Sequence, residues 1–232
     1  QATANMWLGQ LYEAEGQWEQ AVKFSEQGLA LSPANANYLY LTGAQLVKIE
    51  RYEHAIQYLK EVIRQRPWHA GAHYNLGQAY VRMGETRIGE QYLTEADSLR
   101  QIDRQIEDLV IFTEMHPEEI QNWINLGDTL RYYERFEEAL RAYESASLLE
   151  PYNLPVQTNI ATLLFQLGNT ELAIEHYMAV LQQDPTYTHV WFNLGVAFAR
   201  TGQMDDARWA WENLLKYDPQ HQLARQYLSM LK

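Results

Sequence analysis

The chain of 232 residues contains no cysteine. That absence removes disulfide scaffolds, thiol nucleophiles and thiolate metal sites together, and leaves the redox compartment open. Basic residues are scarce: 18 lysines and arginines stand against 30 aspartates and glutamates, for a formal charge of −12. A phosphate backbone is repelled over most of such a surface, so no nucleic acid partner is expected. No apolar run approaches the length that spans a bilayer, and the opening QATANMWLGQ lacks the basic and apolar regions of a signal peptide. The expectation is a soluble chain with no membrane insertion, a cytoplasmic place being slightly favoured over a periplasmic or membrane-tethered one. Catalytic signatures are also lacking: there is no Gly-rich phosphate loop, no Ser elbow and no zinc-protease helix motif. His69 and His73, in HAGAH, have the spacing of two ligands on one helix face, but no third ligand accompanies them. No enzyme activity, cofactor or metal is expected.

What is present is a period. Hydrophobic residues make up 47% of the chain, ample for a packed core. Pro33 and Pro67 lie 34 residues apart, and Pro117, Pro151, Pro185 and Pro219 follow one another at 34; only the step from Pro67 to Pro117 is longer, at 50. The same register aligns Gly9, Gly43, Gly77, Gly127, Ala161 and Gly195, and again Ala21, Ala55, Gly89, Ala139, Ala173 and Ala207. A period of this length is the mark of a stacked array. Within one unit Leu194, Gly195 and Phe198 share a helical face, RTGQ interrupts it, and Ala207, Trp211 and Leu214 resume it, which predicts a helical hairpin. Small residues recur where two helix backbones approach. Acidic residues at Glu19, Glu53, Glu137, Glu171 and Asp205 open the second helices, where they complement the helix dipole and need no acid–base role.

An apolar residue and Gly at positions 7 and 8, an aromatic or Leu at 11, Ala at 20 and Pro at 32 resemble the tetratricopeptide repeat (TPR). WINLGDTLRYYERFEEALRAYESASLLEP, from Trp123 to Pro151, matches almost throughout. The resemblance covers six units and departs from the pattern at Ser25, Thr42 and Ala161. It implies an all-α, right-handed superhelical solenoid of helical hairpins. Sixteen extra residues separate repeats three and four, and no Gly or Pro occurs from Glu90 to His116. One long helix from Thr86 to about Met115, roughly 45 Å, is expected there. A kink near Ser98 to Gln101 is the alternative, and the stripe at 99–113 could instead form a homo-oligomer seam. The expected division is a first lobe at 1–99, a linking helix at 100–117, a second lobe at 118–219 and a capping helix at 220–232.

Function in such an array belongs to its inner face. Position 6 reads Leu41, Asn75, Asn125, Asn159 and Asn193. An amide carries both a donor and an acceptor, so a ladder of asparagines can grip an extended backbone whatever its side chains. This row resembles the asparagine ladder of protein O-linked N-acetylglucosamine transferases, which implies a peptide groove. Position 5 adds Tyr40, Tyr74 and Phe192; positions 12 and 13 add Lys48, Arg82, Arg131, Phe165 and Arg200. Cations gathered inside an acidic chain suit a protein or peptide partner with acidic segments. The clamp used by chaperone-binding TPR proteins is missing, because position 9 reads Gln10, Ala44, Gln78, Asp128, Thr162 and Val196. The reading is a non-catalytic interaction scaffold. Its alternatives are a targeting module of a larger enzyme, such as a glycosyltransferase, and a self-assembling scaffold.

Overall fold

In the computed structural model, which describes residues 1–231, the 34-residue register becomes a series of antiparallel helix pairs. The pairs are α1 (Ala2–Ala14) with α2 (Trp18–Leu31), α3 (Ala36–Lys48) with α4 (Tyr52–Gln65), and α5 (Ala70–Arg82) with the start of α6 (Thr86–Met115). After them come α7 (Ile120–Tyr132) with α8 (Phe136–Leu149), α9 (Leu154–Gln166) with α10 (Thr170–Gln183), and α11 (Thr188–Arg200) with α12 (Met204–Tyr217). A last helix, α13 (Gln222–Met230), follows, and the described residues include no strand. The fold is that of the helical-hairpin array expected from the register.

The chain forms two compact units, Gln1–Gln105 and the part that starts at Ile106. Their boundary falls inside α6. α6 itself is one continuous helix of 30 residues.

Local chemistry fixes each hairpin. Its inner turn contains a residue in the left-handed region: Gly16, Gly84, Gly168 and Gly202, and at the equivalent places Glu50 (φ 62°) and Glu134 (φ 59°). The two glutamates hold that conformation at about 1 kcal/mol each. Between hairpins, Asn35 accepts from the backbone N–H groups of Asn37 and Tyr38, and Asn153 from that of Val156, capping α3 and α9.

Packing inside a hairpin rests on position 8. A Cβ on Gly195 would lie 2.2 Å from Trp211 Nε1, and one on Gly127 would lie 2.8 Å from the Tyr143 ring. Gly43 meets Leu59 and Gly77 meets Leu93 in the same way. The core of the first unit joins Val22, Leu39, Leu46, Leu59, Val62 and Leu76. In the second unit Tyr143, Tyr177, Leu163, Leu194 and Leu214 are fully buried.

One seam differs. Around the contact of the first hairpin with α3, Ser25 on α2 and Thr42 and Gln45 on α3 are completely buried, and Ser25 Oγ, Thr42 Oγ1 and Gln45 Oε1 have no hydrogen-bond partner. Only the Gln45 amide nitrogen is well used, donating to Glu13 at 2.8 Å. At the corresponding places later in the chain stand Leu59, Leu76 and Ala79, then Tyr177, Leu194 and Ala197.

On α6, Ala96, Leu99, Ile106 and Thr113 are buried, and Ile111, Phe112 and Met115 are exposed. Leu99 and Ile106, which the sequence offered as part of a self-association seam, are therefore covered within the single chain. At the far end α13 docks as a cap. Tyr227 stacks on Trp211 and Phe192, Ala224 is fully buried, and the Arg208 guanidinium donates to the Leu231 carbonyl.

Candidate peptide-binding face

Within the first unit α3 adjoins α5, and within the second α9 adjoins α11, so in each unit the position-6 residues of these first helices follow one another along a face of that unit. Asn75, Asn159 and Asn193 are half-buried there and Asn125 is exposed. One of the amides has a defined partner: Asn125 Oδ1 accepts from Gln121 Nε2 at 2.9 Å. Asn75 lies close enough to the Tyr40 hydroxyl, and Asn193 to that of Tyr177, to favour ionisation of each phenol. A hydrogen bond at one end of an amide orients it and leaves its other polar atoms for a ligand.

Tyr40 is less a groove aromatic than a wedge. Its ring lies 4.3 Å from that of His69, and a Cβ on Gly71 would come within 2.5 Å of its hydroxyl. Burial pushes that hydroxyl above its ordinary pKa, and the Asn75 side chain opposes the shift. Tyr177 is likewise raised by burial, and its hydroxyl donates to Thr162 at 3.2 Å.

In the first unit the structure brings several expected residues together. Tyr74, Asn75 and Arg82 line one cavity of about 250 Å³ with Val47, Lys48, Glu50, Tyr52 and Gln78. The Arg100 guanidinium sits 4.5 Å from the centre of the Tyr74 ring and pairs with Asp97 at 3.0 Å. Sequence reasoning missed Arg100. It lies one residue beyond Leu99, where the repeat register ends and the long helix continues, so no equivalent position pointed to it.

The second unit uses its candidates differently. Arg131 pairs with Asp128 at 3.5 Å, and the Tyr143 hydroxyl donates to the same carboxylate at 2.6 Å. Burial, reinforced by Asp128, lifts Tyr143 far above the usual phenol range. Arg200 lies over the Phe165 ring at 4.9 Å and donates to the Phe165 carbonyl at 3.1 Å. Phe192 packs between His221 and Tyr227. These side chains hold the unit together as well as facing outward.

The two histidines of HAGAH are engaged with the start of α5. His69 Nδ1 accepts from the Ala72 backbone N–H at 3.2 Å, and His73 Nε2 lies 2.9 Å from the Pro67 carbonyl. His116, Glu118 and Glu119 could converge on a cation, but both carboxylates are exposed and Glu119 already accepts from Asn122. Among the described residues no helix is long and apolar enough to cross a membrane.

Comparison with known proteins adds a family signal. Models described as "Tetratricopeptide repeat" match residues 158–227 and 70–103, and one described as "TPR repeat" matches 43–84. A model for "Anaphase-promoting complex, cyclosome, subunit 3" matches 1–62. Human Protein O-mannosyl-transferase TMTC3 is 25% identical over 209 residues, covering 89% of this chain and 23% of the relative. The General transcriptional corepressor ssn6 of Schizosaccharomyces pombe is 33% identical over 95 residues, covering 41% and 9%. The chain thus spans about a quarter or less of the length of these curated relatives. Among solved structures, YrrB aligns with a TM-score of 0.45 at 18% identity, covering 87% of this chain and 96% of that one. MamA aligns with a TM-score of 0.47 at 21% identity, covering 79% and 97%.

Proposed function

The chain belongs to the tetratricopeptide-repeat family, and from that premise we propose that it is a non-catalytic scaffold holding an extended segment of a partner protein along its first helices. The observation that carries the reading is the row of position-6 asparagines. Asn125, Asn159 and Asn193 hold this position on successive hairpins of the second unit and Asn75 holds it in the first, none of them fully buried, so each unit offers amide groups to a peptide backbone. Backbone recognition of this kind gives affinity with little dependence on side chains. Tyr74, Phe165 and Phe192 supply apolar contacts beside the row, and acidic residues of the partner would be drawn to the cations.

A second reading is supported by the match to TMTC3, whose name is that of a mannosyl transferase and whose length is about four times the matched part. On that reading the same face recruits a substrate or a partner for an enzyme carried elsewhere in a longer protein. Both readings place binding on the asparagine row.

The test is a selection of displayed random decapeptides on the chain, followed by affinity measurement on the variant in which Asn125, Asn159 and Asn193 are all alanine. Three lost neutral hydrogen bonds of about 0.5–1.5 kcal/mol each should weaken binding roughly 10- to 1,000-fold, evenly across peptide sequences. A variant that melts and binds like its parent would show that the row is repeat consensus and nothing more.

A further inference from the structure

We propose that the cavity on the first unit is a seat for one acidic side chain of the bound segment, its carboxylate held between Lys48 and Arg82. The inference rests on the peptide-groove reading and adds a specificity determinant to it.

The first support is charge that the fold leaves unspent. Four arginines of the chain are spent on carboxylates: Arg64 pairs with Glu61, Arg100 with Asp97, Arg131 with Asp128 and Arg135 with Glu138. Arg82 and Lys48 pair with none among the described residues, and the Lys48 ammonium only approaches the Trp18 ring at 6.0 Å. Both side chains nevertheless line the same cavity. Each ends the last turn of its helix, where a cation complements the dipole. The dipole accounts for one cation on each helix, but not for the cavity they share, one of whose lining residues, Tyr74, also carries the Arg100 guanidinium over its ring. Glu50 is the single acid on that lining, so positive charge exceeds negative there.

The second support is placement. Asn75, Gln78 and Arg82 succeed one another at helical spacing on α5, so a segment whose backbone meets Asn75 carries its neighbouring side chain toward Gln78 and Arg82. About 250 Å³ admits an aspartate or glutamate side chain with some water and is too small for a folded element. The second unit offers no counterpart. Position 13 there reads Tyr132, Gln166 and Arg200, and Arg200 is tied to Phe165.

The probe is the set of decapeptides selected on the chain, each resynthesised with every acidic residue changed in turn to its amide. One acidic position should stand out, its Glu→Gln or Asp→Asn change weakening binding to the parent about tenfold or more, as a hydrogen-bonded charge implies. The Lys48→Gln/Arg82→Gln double variant, altered at two exposed residues, should bind the acidic and amide peptides alike. Arg87→Gln and Arg141→Gln, which change the net charge equally but lie away from the cavity, should preserve the difference. Selected peptides without such an acidic position, or a difference that survives in the double variant, would overturn the seat while leaving the asparagine row intact. Failure to select any peptide would overturn the groove and the seat together.

Discussion

Arg200 reaches across to Phe165, 35 residues earlier, with its guanidinium carbon 4.9 Å above the ring centre and its Nη1 3.1 Å from the carbonyl oxygen. The contact ties α11 to α9 and joins a cation–π interaction to a charge-assisted hydrogen bond. Arg200→Ala should therefore destabilise the chain by about 1–2 kcal/mol. A urea melt measures it directly, and an unchanged midpoint would mean the arginine is merely a solvated cation. Arg200→Lys should recover only part of the loss, since a lysine has no planar group to stack.

Gly195 and Trp211 make a sharper test. A methyl group at Gly195 meets Trp211 Nε1 at 2.2 Å and Cδ1 at 2.6 Å, so Gly195→Ala should cost about 1–3 kcal/mol through overpacking. One repeat earlier the register places Ala161 with Tyr177, a pair in which the Cβ coexists with a smaller ring. Adding Trp211→Tyr to Gly195→Ala should then restore part of the stability. Additive losses in the double-mutant cycle would contradict the steric account.

Two residues of α6 should respond oppositely to the same change. Ile106 is 3% exposed and Phe112 is 51% exposed. Ile106→Asp buries an unpaired charge and should cost about 3 kcal/mol or more, whereas Phe112→Asp should leave the unfolding midpoint close to that of the parent. Equal effects in denaturant melts would refute the assignment of buried and exposed faces.

His69 gives the chain an acid-sensitive cap. Burial holds its imidazole below the ordinary value near 6.5, and Nδ1 must be unprotonated to accept from Ala72. The unfolded chain takes up that proton first as pH falls. The stability linked to this group is therefore complete above about pH 6.5 and is lost as pH drops through the lower folded value. His69→Asn keeps a cap of the kind Asn35 provides and removes the titration. The fall in melting temperature between pH 7 and pH 5 should shrink in that variant; an identical fall would assign the effect elsewhere, His189 being also depressed by burial.

Whatever repeats was legible in the sequence. Prolines and left-handed turn residues mark the hairpin ends, small residues at position 8 mark the helix contacts, and the lack of Gly and Pro from Glu90 to His116 predicted the long helix that runs to Met115. What does not repeat was hidden. Arg100 lies just past the register, and its fold-back onto Tyr74 depends on a helix that fails to end. The tyrosines that lie by Asn75 and Asn193 come from different positions, Tyr40 from a first helix and Tyr177 from a second. Side-chain bonds to main-chain carbonyls, such as that of Arg200, leave no complementary residue in the sequence to betray them.

The buried polar residues where the first hairpin meets α3 have a consequence for how the chain comes apart. In a stacked array each hairpin is held chiefly by its neighbours, so opening proceeds from whichever junction is weakest. At this one Ser25, Thr42 and Gln45 each leave a polar atom without a partner, where later junctions bury leucines and rings. The first hairpin should accordingly fray ahead of the rest of its unit, with amide hydrogens of α1 and α2 exchanging earlier than those of α4 and α5. A protease would find its first cleavage sites there, well before Tyr74 or Asn75 is disturbed.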